Sequence, residues 1–337
     1  MSLPEPPDDF WSRRANAPAH TLLFPALDAE VEVAANHPAV PEAARLSARR
    51  FSQAAPGDPA RRLSVHVIAR SGPSDPPPAD WPERLAYSGI GDWISVSAGA
   101  WGYGVGDLGT GRALVVVAPT LAEDARLVSR YFIDHYILNF LFSNWAMLHA
   151  SAALHPGGRA LALLIGAHNA GKSTTALRLM RAGWRFLADG MALLQVGDGR
   201  MIVGGYPVGE VKLRGDTLAD FPEYADAGQP VQVREQRKTV VDLRAAHPGR
   251  VLETVLAPEV VHLCLVERDG GARTALEPIA LDEVRRRLSA NTVYWDTPPR
   301  LERNSAILDQ LLASARCHRL RLGADPLQMV SLLETLR

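Results

Sequence analysis

The residues from Gly166 to Ser173, Gly-Ala-His-Asn-Ala-Gly-Lys-Ser, have the types and spacing to do chemistry. They fit the pattern G-x-x-x-x-G-K-[ST], in which a strand passes into a helix through a glycine-bearing loop. In such a loop the main-chain N–H groups point inward and hold phosphate oxygens. The helix behind it adds the positive end of its dipole. Gly171 has no Cβ, so the backbone can approach an anion closely. Lys172 is expected at the β- and γ-phosphates and the Ser173 hydroxyl on Mg²⁺. The nucleotide-contacting set is Gly166, Ala167, His168, Asn169, Ala170, Gly171, Lys172, Ser173 and Thr174. Asn169 tolerates the left-handed backbone that a glycine would otherwise supply. His168 reads as a solvated loop side chain, with a phosphate-donor role left open.

Only three of the 36 basic residues are lysines: Lys172, Lys212 and Lys238. In a chain that otherwise uses arginine, lysine is expected to persist where a compact ammonium is needed. Asp189 ends the next apolar stretch, Phe186–Ala188. An acid at a strand end opposite such a loop can hold Mg²⁺ or take the proton of an incoming hydroxyl. The alternative is an ordinary turn aspartate before Gly190.

Several elements must position these groups. Ala160–Ile165 is a short continuous apolar run, suited to a strand buried on both faces. Ser173–Arg181 reads as a helix closed by Gly183. Val260–Val266 reads as another buried strand containing Cys264 as a core residue, and Leu281–Leu288 and Pro326–Leu336 read as helices. Upstream, Leu63, Val65 and Val67 alternate with polar residues in a strand, and 93–97 alternates likewise. The glycines at 102, 104, 106, 109 and 111 read as hairpin turns leading into Leu114–Val117. Thr120 and Glu123 form a capping box opening one long helix to about Asn144. These elements divide the chain into a β-rich domain over 1–145 and an α/β domain over 146–337.

With the loop and its flanks in view, this segment resembles HPr kinase/phosphorylase and the wider group of HPr-kinase-related proteins. The matching residues are Leu148-His149-Ala150-Ser151, the loop itself, Thr175–Leu179, Ala182-Gly183-Trp184-Arg185 and Leu187-Ala188-Asp189. The match covers some 45 residues and is diffuse beyond them. The resemblance is to the stand-alone relatives found beside peptide-modification genes. It implies a mixed-sheet core shared with phosphoenolpyruvate carboxykinase, α/β in class and α+β over the whole chain. It also implies ATP, Mg²⁺ and phosphoryl transfer to a Ser or Thr hydroxyl. His149 matches the family's histidine before the loop, at the transferring phosphoryl group or the acceptor, with a buried structural role as the alternative. Relatives place a basic pair where Arg237 and Lys238 stand, so the resemblance implies that one of them stabilises charge on the γ-phosphate; a solvated charge run is the alternative. The family has a second aspartate after the first, where this chain has Gly190. Asp189 then acts alone, or Glu210 replaces the missing acid, or catalysis is lost.

Other stretches are weaker candidates. Gly204–Arg214, with Lys212, reads as an anion-contacting loop or a plain turn. Val293–Pro299 reads as an acceptor groove or a packed loop, and Arg285, Arg286 and Arg287 are expected to face water. Lys+Arg is 36 against Asp+Glu 37 in 337 residues, so no nucleic-acid partner is expected. Two isolated cysteines provide neither a disulfide framework nor zinc spacing, which suits the cytoplasm. No signal peptide and no membrane span are expected. The expected activity is an ATP- and Mg²⁺-dependent kinase of a small protein or precursor peptide, with the N-terminal domain recognising the acceptor. The alternatives are a small hydroxy compound as acceptor, a nucleotide hydrolase, or a nucleotide-binding subunit without catalysis. A homo-oligomer is left open.

Overall fold

The computed structural model describes residues 17–51, 53–54, 59, 61–78, 84–233, 236–268, 271, 273–291 and 298–336. The chain forms two compact units, one of Met1–Arg49 with Pro56–Ser143 and one of Arg50–Ala55 with Asn144–Arg337.

The first unit holds strands β1 (His20–Ala26), β2 (Ala29–Ala35), β3 (Arg61–Ala69), β4 (Ala86–Ile90), β5 (Trp93–Ser97), β6 (Gly102–Asp107) and β7 (Arg112–Val117). They make one sheet in the order β1-β2-β3-β7-β6-β5-β4. Here the glycine run departs from the expected hairpin turns. Gly102, Gly104 and Gly106 lie inside β6, and only Gly109 and Gly111 belong to the turn before β7. The reason is packing. Side chains at 104 and 106 would stand 2.5 Å from Tyr136 Oη and 2.7 Å from Tyr136 Cδ1. Glycine on alternate positions thus opens a slot for the fully buried Tyr136 ring.

The expected long helix is also corrected. Pro119–Ala122 is a single turn whose N-cap is Ala118, without a side-chain cap. The Thr120 hydroxyl instead donates to the Pro73 carbonyl at 3.0 Å. Asp124 restarts the helix by accepting from the Arg126 and Leu127 amides. A π-helical turn, Ser129–Ile133, precedes the final segment Asp134–Leu141. Proline at the first helical position needs no N–H there, so the helix starts one residue before the threonine.

His135 lies in that last segment, its ring 4.8 Å from Tyr87 and 5.1 Å from Tyr136. Its Nε2 is buried with no hydrogen-bond partner among the described residues. Burial lowers its pKa from 6.5 to about 4. Between those values the unfolded chain binds more protons than the folded one. Stability is therefore full above pH 6.5 and falls as pH drops toward 4. His135→Phe, which keeps the ring and removes the titration, is expected to recover about 2 kcal/mol of the loss between pH 7 and pH 5. Denaturant unfolding of both proteins at the two pH values measures this difference. An identical acid loss in both would contradict it.

The second unit contains β8 (Ala146–Leu148), β9 (Ser151–Leu154), β10 (Ala160–Ile165), β11 (Arg185–Asp189), β12 (Met191–Gly197), β13 (Arg200–Tyr206), β14 (Glu210–Leu213), β15 (Gly228–Val233), β16 (Gln236–Asp242), β17 (Val260–Arg268), β18 (Ala275–Pro278) and β19 (Arg316–Leu322). Its main sheet is mixed and runs β11-β9-β10-β17-β19-β18, with β10, β17 and β19 parallel. Two three-stranded sheets, β13-β12-β8 and β14-β16-β15, accompany it. The chain is thus of mixed α/β character.

β10 is buried at every residue. Leu161, Leu163 and Ile165 enter one core, while Ala162 and Leu164 enter a second core. The second core also takes Ala176, Leu177 and Leu179 of the Lys172–Arg181 helix. Gly183, at φ +100°, ends that helix. Trp184 N–H reaches the Leu179 carbonyl at 3.0 Å and Gly183 N–H the Met180 carbonyl at 3.1 Å, the paired bonds of a Schellman motif. Cys264 is buried in this core, and burial pushes its thiol up to about 12.

The segment 50–55 joins this unit through buried Gln53. Its amide donates to the Leu252 carbonyl at 2.8 Å and accepts from the Gly205 N–H at 2.7 Å. Nothing in the local sequence announces this, because both partners lie more than 150 positions away.

The Gly204–Arg214 stretch is not one continuous loop: β13 runs to Tyr206, a turn follows, and β14 begins at Glu210. Gly204 and Gly205 are inside β13. A side chain at 205 would stand 2.3 Å from the Leu187 carbonyl, so glycine there permits β13 to approach β11. Arg214 pairs with Asp216 at 2.6 Å. Arg285, Arg286 and Arg287 are exposed, as their helical position suggested. Residues 234–235 and 292–297, which take in most of the proposed acceptor groove, lie outside the described residues. Among the described residues no helix is long and apolar enough to cross a membrane.

Candidate functional site

The loop begins where β10 ends. Gly166 has φ +151°, and a side chain there would meet the Val266 carbonyl at 2.5 Å. Ala167, His168 and Asn169 form an exposed tip, with Asn169 left-handed at φ +63°. Gly171, at φ +104°, is the N-cap of the Lys172–Arg181 helix and supplies no side-chain cap. The amides of Lys172, Ser173 and Thr174 therefore open the helix without intrahelical acceptors, as the first turn of any helix must. Ser173 is half-buried and Thr174 buried in this turn.

Lys172 turns back over the loop. Its side chain is buried, and Nζ donates to the Gly166 carbonyl at 2.9 Å and the Ala167 carbonyl at 3.0 Å. Burial lowers its pKa, and the Asp189 carboxylate acts in the opposite sense. The lysine is thus held at the mouth of the loop by acceptors that a phosphate can replace.

Asp189 reaches the site through a bulge. β11 pairs antiparallel with β9 as Phe186↔Ala153, then Ala188↔Ala152 and Asp189↔Ser151. Leu187 is the extra residue. Phe186 enters the core beneath the Lys172–Arg181 helix, whereas Leu187 and Ala188 both enter the opposite one. In a regular strand Asp189 would share the face of Leu187. The inserted residue moves it to the helix-bearing face. There its Oδ1 accepts from the Ser151 hydroxyl at 2.5 Å, and Ser151 is fully buried.

His149 lies between β8 and β9. Its Nδ1 is 2.8 Å from the Gly190 carbonyl, which can only accept, so Nδ1 carries the proton and Nε2 keeps a lone pair. Burial, then the Lys172 charge, lowers its pKa, while the Gly190 carbonyl and Asp189 oppose this. His168 lowers it slightly as well. His149 thus feels the charges of Lys172, Asp189 and His168, and Lys172 feels that of Asp189. Gly190 stands at φ +95°, with open space where a side chain would go. An aspartate there would fit sterically but would be strained in its backbone.

Arg237 and Lys238 lie elsewhere in the unit's strand pattern. They are in β16, opposite Gln232 and Val231 of β15, with Arg237 exposed and Lys238 half-buried. Neither makes a hydrogen bond with the loop among the described residues. Glu210 opens β14 opposite Asp242.

Two groups at the site carried no expected role, although Ser151 lies in a stretch that matches the family. Ser151 is one small residue among Ala150, Ala152 and Ala153, and only strand pairing reveals its partner. Arg268 ends β17, and its Nε and Nη2 lie 3.3 Å from where a Gly171 side chain would stand. Its only signal is its place at the carboxyl end of an apolar strand, the edge where open α/β sheets bind ligands.

Among the described residues, no group of three or more His, Cys, Asp or Glu is gathered to hold a metal ion. Mg²⁺ needs fewer protein ligands, since phosphates and water complete its octahedron.

No family model matches the chain, and no curated protein matches it in sequence. Among solved structures, the chain is similar to the Hpr(Ser) kinase/phosphatase from Coxiella burnetii, with a TM-score of 0.31 and 13% identity, over 56% of this chain and 87% of that one.

Proposed function

We propose that the chain is a phosphotransferase that moves the γ-phosphoryl group of Mg²⁺-ATP to a Ser or Thr hydroxyl of a small protein or precursor peptide. One observation carries the reading: the buried Lys172 ammonium lies over the carbonyls of its own loop while the Asp189 carboxylate, on a separate strand, acts on its charge. Cation and acid thus face a helix start whose amides await an anion.

In this reading the first-turn amides and Lys172 bind the β- and γ-phosphates. Ser173 and Asp189 would hold Mg²⁺, which supplies positive charge between the phosphates when bound. Asp189 takes the proton of the acceptor hydroxyl as its oxygen bonds to the γ-phosphorus. The bond from that phosphorus to the β–γ bridging oxygen breaks, and ADP leaves. The Ser151 hydroxyl engages one carboxylate oxygen of Asp189 and leaves the other for this work. His149, neutral and anchored through Nδ1, offers Nε2 to the acceptor. Arg237 and Lys238, on β16, are the basic pair that would stabilise charge on the γ-phosphate in this reading.

Gly190 favours a second reading. Its left-handed backbone disfavours an acid, so a single carboxylate serves the site, which also suits a nucleotide hydrolase or a non-catalytic nucleotide-binding subunit. Incubation with γ-labelled ATP, Mg²⁺ and Ser/Thr-containing acceptor peptides separates these. Alkali-labile label on the acceptor supports the kinase. Free phosphate alone, or binding without turnover, overturns it in favour of the second reading.

A further inference from the structure

Lys172, Asp189 and His149 all have a part in the proposed pocket, but a further cation beside the loop does not. β17 runs parallel to β10 and outlasts it. Ile165 stands opposite Leu265, so Val266, Glu267 and Arg268 continue past the end of β10. This overhang runs along the loop and reaches it twice. The Val266 carbonyl fills the space where a Gly166 side chain would be, and two residues on the Arg268 guanidinium flanks Gly171, 3.3 Å from where a side chain would stand and behind Leu322 Cδ1 at 2.8 Å.

The pleat keeps Arg268 apart from Glu267, the acid that precedes it. Glu267 alternates to the other face, where it lies 3.4 Å from Arg319 and 3.9 Å from Arg287. Two other acids among the described residues of this edge are engaged too: Glu277 pairs with Arg321 at 3.0 Å, and Glu283 pairs with Arg319 at 2.5 Å. Arg268 is exposed and pairs with no carboxylate among the described residues. Its guanidinium therefore sits beside the N-cap of a helix, at the positive end of the dipole and on the same loop as the Lys172 ammonium. Like charges so gathered are stabilised when an anion lies among them.

We infer that Arg268 is a further polyphosphate-binding residue, brought to the loop from the neighbouring parallel strand. Its ligand is the phosphate chain of a nucleoside di- or triphosphate, which a guanidinium fork grips with two parallel hydrogen bonds. The inference rests on the nucleotide reading of the loop.

Calorimetric titration of the full chain with Mg²⁺-ATP, and separately with inorganic tripolyphosphate, tests it at low and at high salt. Arg268→Ala is expected to weaken both ligands about 10- to 100-fold. The salt dependence should also flatten, a change that a merely structural role would not produce. Arg268→Lys should recover part of the affinity. Because the side chain is exposed, both variants should melt as the unaltered protein does. If Arg268→Ala binds both ligands with unchanged affinity and salt dependence, while Lys172→Ala loses them, the inference is wrong and the pocket reading stands. If the unaltered protein binds neither ligand, both are wrong.

Discussion

Lys172→Ala is expected to weaken Mg²⁺-ATP binding by at least about 100-fold and to remove turnover, while leaving the fold in place. Two effects add. The first is loss of the ammonium, a charge-assisted donor to phosphate oxygens in a partly desolvated pocket. The second is left behind in the loop, where the Gly166 and Ala167 carbonyls lose the donor they now share. Gly166 is buried, so its unpartnered carbonyl costs on the order of 1–3 kcal/mol. A modest fall in melting temperature should accompany the loss of binding. Lys172→Arg should not rescue, because a planar fork cannot occupy the point between two carbonyls at 2.9 and 3.0 Å. That geometry explains why this position keeps lysine in a chain that otherwise uses arginine. Calorimetry of the three proteins decides the matter. Undiminished ATP affinity in Lys172→Ala would remove the physical basis of the proposed pocket.

Asp189→Asn is expected to lower the transfer rate about 10²- to 10⁴-fold with a smaller effect on ATP affinity. Asparagine keeps an oxygen to accept from Ser151, so the strand pairing and the bulge persist. It loses the negative charge, and with it the proton acceptor and magnesium ligand of the proposed mechanism. A second signature follows from electrostatics. Burial lowers the Lys172 pKa, and the Asp189 carboxylate opposes that effect. Without the carboxylate the Lys172 pKa falls further, so the alkaline loss of ATP binding should begin at lower pH in the variant. Single-turnover rates and the pH dependence of binding measure the two effects separately. Full transfer by Asp189→Asn would assign the chemistry to another group. An unmoved alkaline limb would mean that the carboxylate and ammonium do not share one site.

Much of the site's local geometry was legible beforehand for a local reason. Whether a buried apolar run, a glycine-bearing turn and a helix follow one another depends on residues within about ten positions, and hydrophobic period and glycine placement report directly on that range. The buried β10, the left-handed Asn169 and the Gly183 helix end are all of this kind. The local rules failed where a distant side chain intervened. Gly104 and Gly106 of β6 look like turn formers, yet they serve the Tyr136 ring, some thirty positions on. Thr120 has the spacing of a capping residue, but Pro119 starts the helix ahead of it and the Pro73 carbonyl engages its hydroxyl. Gly204 and Gly205 lie inside β13, where Gly205 permits close approach of Leu187.

The sequence by itself determined that a lysine and a serine would stand at the opening of a helix behind a glycine loop, since covalent succession alone puts them there. Only the tertiary structure decided which other groups would meet them. Asp189 faces the site because one extra residue, Leu187, reverses the side of its strand. Ser151 and Arg268 arrive on strands whose neighbours are chosen by burial and pairing across the sheet. The physical reason is that side chains on a strand alternate with a period of two, so a single inserted residue or a three-residue overhang changes which face and which edge a side chain occupies.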